Sequence, residues 1–333
     1  MRALVIGGTL FIGRGVVAEL LAQDYEVTIL HRKPGHEWGK RIREIIADRN
    51  DPESLKGALA GKRFDVVFDN VYDWQHGTTA DQVEATAKSF DHLQRYIFMS
   101  SVAAYGDGLN HHEGDALAPD NHPDSYVRNK AMSERALFRL HQRNRFPVVT
   151  LRPPFIYGPG NPFYREAFFW DRLRDNRPII VPGDGRRLMQ FVHVKDVITA
   201  AIRAATEPGV AGHAFNVANS RPITQMELVE LFGEVAGKKP EIVRMPRTAL
   251  LQAGGHPMGP KLYFATYYDL PPITEIVAKA QRMLHLQPID FKTGLKETYK
   301  WYPRHHQKNT SNYEFEDKLL SIAAALPPHQ PEI

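Results

Sequence analysis

The sequence predicts an α/β protein, with a Rossmann-like, doubly wound parallel sheet and a smaller C-terminal substrate domain. Short apolar runs alternate with amphipathic stretches through the first half of the chain, and a glycine-rich turn follows the first run. The alternation stops after Arg152, where prolines and glycines crowd together. Alternating strand and helix signals are typical of a parallel sheet that helices cover on both faces.

The first half of the chain contains the sheet strands and the helices that connect them. Short apolar runs bounded by turn residues indicate strands, and an apolar period of about 3.6 residues indicates helices. The predicted strands are Arg2–Ile6, Glu26–Leu30, a third strand ending at Ala47, Val66–Asp69, Tyr96–Ser100 and Val148–Leu151. The predicted helices are Gly13–Ala22, Thr78–Phe90 and Tyr126–Arg143.

The second half is less regular. A proline- and glycine-rich loop over 153–162 precedes a predicted helix at Phe163–Arg174 and a turn at 182–185. The chain is expected to return to the sheet at Gln190–Val194 and again at His213–Val217. Further helices are predicted at Gln225–Ala236, Ile273–His285, Lys292–Tyr302 and Asn312–Leu326.

These elements predict two domains and a tail. A dinucleotide-binding domain covers 1–155, and about 190–217 complete its sheet. A substrate-binding domain covers 156–189 and 218–303. Residues 304–333 are expected to form a peripheral tail, whose helix packs on the outside of the protein and whose end frays.

Composition excludes several functional classes. The 333 residues carry 42 Lys and Arg against 38 Asp and Glu, and the scattered basic residues do not favour nucleic-acid binding. The absence of cysteine excludes disulfides, thiolate nucleophiles and cysteine-ligated zinc, and it fits a reducing cytoplasm. No apolar run approaches the roughly 18 residues of a membrane span. His111-His112-Glu113 lacks a third ligand at helical spacing, so no metal site is predicted.

The stretch GGTLFIG at 7–13 predicts a dinucleotide-binding turn. Glycine permits the tight strand-to-helix turn and the close approach of a pyrophosphate, and the following helix offers free N–H groups. Leucine replaces the usual middle glycine, but its N–H can still donate if its φ is negative. A glycine turn without a ligand is the alternative. The predicted contacts are Gly7, Gly8, Thr9, Leu10, Phe11, Ile12 and Gly13.

The end of the second strand indicates which cofactor binds. An acidic residue there usually accepts a hydrogen bond from the NAD ribose, but this chain has His31-Arg32-Lys33. Arg32 can pair with a 2′-phosphate, so NAD(P) is predicted with NADP favoured over NAD. Asp48 and Arg49 are predicted at the adenine end. The alternatives are that Arg32 is a surface residue and that Asp48 caps the helix beginning near Pro52.

Three residues have the pattern of a catalytic set. Tyr126 and Lys130 are four apart and share one face of a helix, and Ser101 ends a strand. The pKa of a free tyrosine is about 10, so a base at neutral pH needs help, and a lysine cation together with the positive nicotinamide of the oxidised cofactor stabilises its phenolate. We therefore predict that Tyr126 is the acid/base, Lys130 lowers its pKa, and Ser101 orients the substrate oxygen.

Taken together, these motifs resemble the extended short-chain dehydrogenases/reductases of the NAD-dependent epimerase/dehydratase family. The resemblance runs from about residue 1 to 303. It implies that Ser101, Tyr126 and Lys130 are catalytic, that Pro153 and its loop contact the cofactor, and that two sheet-flanking helices form a homodimer. The matching stretches are GGTLFIG at 7–13, SSVAAYG at 100–106, YVRNK at 126–130, LRPPFIYGPG at 151–160, PGDG at 182–185, FVHVKDV at 191–197, AFNVAN at 214–219 and ETYKWY at 297–302.

Departures from the family pattern narrow the chemistry. Residues 102–104 are Val-Ala-Ala where dehydratases usually carry an acid, so the usual group for water elimination is absent. Ile156 and Met189 replace the usual asparagine and arginine of the nucleotide-diphosphate clamp. Arg186, Arg187 and Asn161 are candidates to replace it. The stretch at 72–74, Tyr-Asp-Trp, lines the nicotinamide side of the pocket or packs on the sheet edge.

The sequence thus predicts an NAD(P)-dependent epimerase or oxidoreductase that transfers a hydride at a hydroxyl or carbonyl carbon. The expected substrate is a sugar, nucleotide sugar or related small molecule. Some motifs also resemble the chloroplast stem-loop RNA-binding branch of the superfamily, which tends to lose the tyrosine and lysine kept here as Tyr126 and Lys130. A silent RNA-binding protein and a redox-sensing regulator are therefore the alternatives.

Overall fold

The computed structural model describes residues 1–306 and 312–325. The strands in this part of the chain are β1 (Arg2–Ile6), β2 (Glu26–His31), β3 (Arg43–Ile46), β4 (Val66–Asp69), β5 (Arg95–Met99), β6 (Gly108–His111), β7 (Val148–Arg152), β8 (Phe155–Tyr157), β9 (Ile179–Pro182), β10 (Leu188–Met189), β11 (Phe191–His193), β12 (His213–Asn216), β13 (Ile223–Thr224), β14 (Ile242–Met245) and β15 (Ile273–Glu275). The α-helices there are α1 (Phe11–Ala22), α2 (Pro52–Leu59), α3 (Ala80–Lys88), α4 (Ser125–Asn144), α5 (Glu166–Arg174), α6 (Val194–Thr206), α7 (Gln225–Ala236), α8 (Arg247–Gln252), α9 (Ala278–Met283), α10 (Phe291–His305) and α11 (Glu314–Ala325).

A seven-stranded sheet forms the centre of the protein. Its strand order is β12-β7-β5-β4-β1-β2-β3, and each neighbouring pair is parallel. Strands β2 and β3 follow β1 on one side of it, and the chain then crosses back so that β4 lies on the other side of β1. In open α/β sheets, ligands bind at the carboxyl ends of the strands where the order reverses. This topology therefore predicts a binding crevice between the ends of β1 and β4.

Helices cover both faces of this sheet. On one face α1 and α6 bury residues such as Val16, Val17 and Val197 in one hydrophobic cluster. On the other face α2, α3 and α4 contribute Leu55, Val83 and other residues to a second cluster. The central strands are apolar on both faces because both faces are covered. The predicted Rossmann-like α/β fold class is confirmed.

A second, largely aromatic core forms beside the sheet. Phe169 and Phe232 stack with ring centroids 4.5 Å apart, and Trp170 and Phe264 pack around them. Helices α5, α7 and α10 contribute to this core, as does α11, whose Leu319 is fully buried. The predicted tail helix is thus an integral part of this C-terminal lobe, while Leu326 and the calls on 307–311 and 327–333 lie outside the described residues.

Two sequence predictions about elements are wrong. The prediction that Gln190–Val194 rejoins the sheet fails, because β11 pairs with β8 in a separate two-stranded sheet. The prediction of one helix over Ile273–His285 fails as well, because 273–275 form β15, which pairs with β6. In both cases the apolar run is short and buried, and tertiary packing decides which partner it takes. The other predicted elements agree within a few residues at each end.

Candidate active site

The glycine turn between β1 and α1 lies in the predicted crevice. Gly7 has φ +84°, in the left-handed region where glycine is favoured, and a Cβ on Gly13 would lie 1.9 Å from the Gly7 carbonyl oxygen. Leu10 has φ −134° and ψ 142°, so the negative φ required for its N–H to donate is present. Phe11 has the unusual φ of +43°. The backbone of this turn therefore requires glycine at Gly7 and Gly13.

The turn fits the pyrophosphate of a dinucleotide. No side chain caps the first turn of α1 within the described chain, so its leading N–H groups remain available to an anion. Nearby, at the end of β4, the buried side-chain amide of Asn70 has no hydrogen-bond partner among the described residues. Both features supply polar groups where the resemblance predicts NAD(P).

At the predicted adenosine end, Arg32 lies at the surface. Its Nη1 donates to Asp73 Oδ2 over 2.9 Å. The pKa of Asp73 is lowered to about 2, mainly because its carboxylate accepts from the backbone N–H groups of residues 76 and 75, and the charge of Arg32 lowers it further. The Asp48 carboxylate accepts from Asn50 N, and Asp51, not Asp48, caps α2. The structure therefore joins Arg32 to the loop that follows β4.

Arg49 is placed differently from Arg32. It is 3% exposed, and its guanidinium forms a buried ion pair with Asp69, which also accepts from the Tyr96 hydroxyl over 2.7 Å. Its Nε and Nη1 have no hydrogen-bond partner among the described residues. A contact between Arg49 and adenine stays a prediction.

The three predicted catalytic residues come together beside this crevice. Ser101 follows β5, and Tyr126 lies in the first turn of α4, where Asp124 caps the helix by accepting from Tyr126 N. Lys130 is one turn further along, and its Nζ lies 5.8 Å from the Tyr126 ring centroid. Nζ also donates to the Met99 carbonyl oxygen over 2.7 Å, which fixes the ammonium against the end of β5.

Burial controls the protonation of this set. Desolvation raises the pKa of Tyr126 to about 12, and a hydrogen bond with Ser101 and the charge of Arg165 lower it only in part. Desolvation also lowers the pKa of Lys130 to about 8, against the opposing effect of Asp69. Tyr126 is therefore a neutral phenol at pH 7, and the nearby ammonium does not by itself make it a phenolate. The expectation of a partly ionised tyrosine needs a further positive charge.

Aromatic rings surround Tyr126. Trp74 stacks on the Tyr126 ring with centroids 5.0 Å apart and an interplanar angle of 20°, and Tyr72 meets it edge-on at 4.8 Å. Phe163 and Tyr267, from the C-terminal lobe, contact Trp74 at 5.6 and 6.2 Å. Of the two interpretations of the 72–74 stretch, the contacts favour a pocket wall over packing on the sheet edge.

The sequence analysis missed Arg165 and Tyr267 in this pocket. The guanidinium of Arg165 lies 4.5 Å from the Phe163 ring centroid and 5.5 Å from that of Tyr267. Neither residue is part of a motif with fixed spacing from the catalytic set, because each arrives on a separate loop of the C-terminal lobe. The one available signal was an arginine within an aromatic stretch, FYREAFFW at 163–170.

A buried polar network supports the site from behind. Glu134 of α4 is fully buried and accepts from Arg152 Nη2 over 2.6 Å and from Ser100 Oγ over 2.5 Å. Arg152 also donates to the Tyr105 hydroxyl over 2.6 Å. These bonds join α4 to the ends of β5 and β7, and so fix the position of the helix that carries Tyr126. Pro153, buried after β7, accepts at its carbonyl oxygen from Val102 N.

The departures from the family pattern have clear structural counterparts. Residues 102–105 form a short 3₁₀-helix of apolar residues and Tyr105, which supplies no carboxylate. Met189 is buried in the C-terminal core. Among the clamp candidates, Arg187 donates to the Asp269 carbonyl and carboxylate, Asn161 donates to Glu166, and Arg186 is exposed.

Comparison with known proteins identifies the family. The model of the NAD dependent epimerase/dehydratase family matches residues 3–218, which is more than half of the chain. The chain belongs to this family. The predicted resemblance to extended short-chain dehydrogenases/reductases is thereby confirmed, and it agrees with the geometry described above.

Relatives of several kinds cover nearly the whole chain. It is 28% identical to the Arabidopsis thaliana chloroplast stem-loop binding protein of 41 kDa b, over 96% of this chain and 84% of that protein. It is also 28% identical to dTDP-4-dehydro-6-deoxy-D-allose reductase from Streptomyces bikiniensis, over 92% of this chain and 97% of that protein. Identity with dTDP-glucose 4,6-dehydratase from an Actinoplanes species is 26%, over 91% and 98%.

Solved structures support the fold. The dTDP-glucose 4,6-dehydratase of Bacillus anthracis, in complex with NAD, superposes with a TM-score of 0.74 at 20% identity, covering 92% of this chain and 97% of that one. The UDP-glucuronic acid 4-epimerase of Bacillus cereus, also in complex with NAD, gives 0.72 at 19% identity, covering 92% and 100%. At such identities the likeness concerns the fold alone.

Two further findings concern metals and membranes. Within the described residues, no group of three or more His, Asp and Glu side chains is arranged to hold a metal ion, and His111 instead stacks on Tyr105. No helix in the same part of the chain has both the length and the apolar character needed to cross a bilayer.

Proposed function

We propose that this protein is an NAD(P)-dependent oxidoreductase or epimerase that acts on a nucleotide sugar or a related hydroxylated small molecule. The observation that carries the proposal is the convergence of Ser101, Tyr126 and Lys130 beside a glycine turn built for pyrophosphate. The names of the curated relatives, which include a dTDP-sugar reductase and a dTDP-sugar dehydratase, support the substrate class.

The chain's own residues supply binding and proton transfer. When bound, NAD(P) supplies or accepts the hydride, and its oxidised ring adds a positive charge that lowers the pKa of Tyr126. In the direction of reduction, the Tyr126 hydroxyl donates its proton to the substrate oxygen, which Ser101 orients by a hydrogen bond. Lys130 stabilises the phenolate that forms. In the direction of oxidation, Tyr126 takes the proton back.

Reduction and epimerisation fit the site better than dehydration does. The 3₁₀-helix at 102–105 offers no carboxylate for removing a proton next to the carbonyl. The neutral phenol of Tyr126 suits a proton donor to a developing alkoxide. If a carbonyl substrate is reduced and the product leaves, the outcome is reduction. If a hydroxyl substrate is first oxidised, and the keto intermediate rotates in the site and takes the hydride back on its other face, the outcome is epimerisation.

NADP is proposed as the preferred form of the cofactor. Residues 31–33, at the end of β2, are His-Arg-Lys and include no acid to accept from a ribose hydroxyl. Arg32 is exposed there, and one nitrogen of its guanidinium pairs with Asp73; we propose that its other nitrogens bind a 2′-phosphate. Native mass spectrometry of the purified protein tests this. Tightly retained NAD would favour an epimerase and contradict the NADP preference, whereas uptake of NADPH by an empty site would favour a reductase.

The Tyr126→Phe variant tests the proposed chemistry. It removes the hydroxyl and keeps the ring on which Trp74 packs. We expect kcat to fall by about a hundred- to ten-thousand-fold, with NADPH affinity unchanged. NADPH oxidation is followed with a panel of nucleoside-diphosphate keto sugars. Tyr299→Phe, which removes a hydroxyl from α10, is the control. Full turnover by Tyr126→Phe would contradict the proposal.

A second candidate is a silent, nucleotide-dependent RNA-binding protein. One relative supports it, the stem-loop binding protein of Arabidopsis thaliana, which matches 96% of this chain, but the family model and the other relatives named above favour the enzyme. This candidate predicts that wild type and Tyr126→Phe bind a stem-loop RNA equally and that the affinity falls steeply with salt. Measuring RNA binding alongside turnover separates the two candidates.

A further inference from the structure

Arg165 is a buried arginine in the pocket, outside the catalytic set. It directly precedes α5 and is 8% exposed. Its guanidinium carbon lies 4.5 Å from the Phe163 ring centroid, and 5.4, 5.5 and 5.6 Å from those of Phe155, Tyr267 and Tyr268. Stacking on aromatic faces holds a guanidinium in place without neutralising it. Arg165 therefore brings a full positive charge into an aromatic pocket.

The Arg165 guanidinium has no carboxylate within ion-pair distance in the described chain. Across 1–306 and 312–325 it forms no ion pair, and its hydrogen bond from Nε goes to the neutral Thr266 carbonyl over 3.3 Å. Its Nη nitrogens have no hydrogen bond to those residues, and, unlike Nη1 of Arg49, they are not sealed from solvent. An unpaired buried charge is costly, so such a group is suited to an anion from outside.

The adjacent carboxylate does not satisfy Arg165. Glu166 is buried, and both of its oxygens accept from the side-chain amide of Asn161, over 3.0 and 2.9 Å. Burial raises the pKa of Glu166 to about 7 even though the charge of Arg165 lowers it in part, so Glu166 carries only part of a negative charge at neutral pH. The fork of Arg165 nitrogens is thus left for another partner.

Arg165 is connected to Tyr126 through Phe163 and Trp74. Phe163, on which its guanidinium stacks, contacts Trp74 at 5.6 Å, and Trp74 stacks on Tyr126. Its charge is felt at Tyr126, whose pKa it lowers. Tyr267 has φ +69°, a strained conformation for a tyrosine and one typical of functional sites.

Other arginines of the C-terminal lobe are already engaged. Arg187 and Arg247 both donate to the Asp269 carboxylate, over 3.0 and 2.9 Å. Arg186 is exposed and lies 3.9 Å from Asp184. Arg165 differs from these three because it is buried and forms no ion pair in the described chain.

We propose that the Arg165 guanidinium binds an anionic group of the substrate, a carboxylate or a phosphate, while the reacting carbon lies at Tyr126. The substrate class is then an acidic or phosphorylated sugar, including a nucleotide sugar. Planar oxyanions accept two parallel hydrogen bonds from such a fork. This inference deepens the proposed function and rests on it for the position of the reacting carbon.

Calorimetric titration of the full chain, with and without NADPH, tests the inference. The probes are uridine diphosphate, glucuronate and neutral glucose. We expect wild type to bind one of the two anions more tightly than glucose. Arg165→Met, which keeps apolar bulk against the rings, should weaken that binding at least tenfold. Arg165→Lys should recover part of it. Arg244→Met, with the same loss of charge on an exposed site of β14, is the control.

The outcomes separate the ligand sources and the two proposals. Preference for uridine diphosphate identifies a phosphate, and preference for glucuronate identifies a carboxylate. The inference is wrong if wild type prefers neither anion to glucose, if Arg165→Met binds the anion as wild type does, or if that variant weakens NADPH instead. Arg165-dependent anion binding without any turnover would remove the proposed function and keep the anion site. Turnover that is the same in wild type and Arg165→Met would keep the proposed function and remove the anion site.

Discussion

At the scale of single residues, the site depends on the balance between burial and charge around Tyr126. Helical spacing places Lys130 beside it, and the structure brings Ser101 and Arg165 near as well. Burial has the larger effect on the pKa of Tyr126, because removing a phenolate from water costs more free energy than these neighbours contribute by stabilising it. A neutral tyrosine is thus the resting form, and the proton it carries is ready for donation.

The pH dependence of the reaction should report Lys130. Its lowered pKa of about 8 means that the ammonium is present below pH 8 and is lost above it. Because that charge stabilises the phenolate formed on proton donation, we expect kcat for carbonyl reduction to fall as the pH rises through about 8. Arg at this position stays charged, so the Lys130→Arg variant should lack the decline. A flat wild-type profile from about pH 7 to 10 would contradict this role.

At the scale of elements, the turn from β1 to α1 depends on contacts that admit no side chain. A Cβ on Gly13 would overlap the Gly7 carbonyl, whereas a Cβ on Gly57 in α2 would meet nothing within 4 Å. Packing therefore requires glycine at Gly13. At Gly57 the side chain of another residue would fit, and glycine there only weakens the helix.

Gly13→Ala should therefore disrupt the cofactor turn, and Gly57→Ala should not. We expect Gly13→Ala to lose NADPH binding and to lower the midpoint of thermal unfolding. Gly57→Ala should raise stability by up to about 1 kcal/mol, because alanine loses less backbone entropy in a helix. Calorimetric titration and thermal unfolding measure both effects. Equal NADPH affinity for wild type and Gly13→Ala would argue against a pyrophosphate at this turn.

Helix α11 is fixed to the C-terminal lobe by a few buried contacts. Leu319 is fully buried in the aromatic core, and Glu316 forms a buried ion pair with Arg172 of α5. Leu319→Ala removes buried methyl groups, so we expect it to lower the free energy of unfolding by about 2–5 kcal/mol. The exposed Ser321→Ala should change it by less than about 0.5 kcal/mol. Denaturant unfolding compares them, and similar values for both would mean that α11 is not docked.

At the scale of the whole molecule, the family resemblance implies a homodimer through two sheet-flanking helices. Helices α3 and α4 pack together on one face of the sheet, and Met132 of α4 is half-buried. We expect light scattering after size-exclusion chromatography to give the mass of two chains. Met132→Glu should shift the protein towards one chain, whereas Met258→Glu, at an exposed site elsewhere, should not. A wild-type mass of one chain would rule out this assembly.

The sheet was predictable because its signals are local, and so was the shared helix face of Tyr126 and Lys130, whose catalytic role stays a prediction. Strand β1 and helix α7 fall at their predicted bounds, and the spacing of Tyr126 and Lys130 predicts their shared helix face. The pairing of β11 with β8 and the strand β15 were not predictable, because runs of three residues carry no signal for their partners. Residues brought in by loops, such as Arg165, escaped the sequence analysis for the same reason.

The sequence by itself determined the α/β architecture, the glycine turn and the catalytic pattern, since each follows from local periodicity or fixed spacing. Only the tertiary structure decided that Arg49 pairs with Asp69 in the interior, that Trp74 covers Tyr126 and that Arg165 has no carboxylate partner in the described chain. The physical reason is that burial and charge pairing depend on segments far apart in the chain, which come together only in the folded protein.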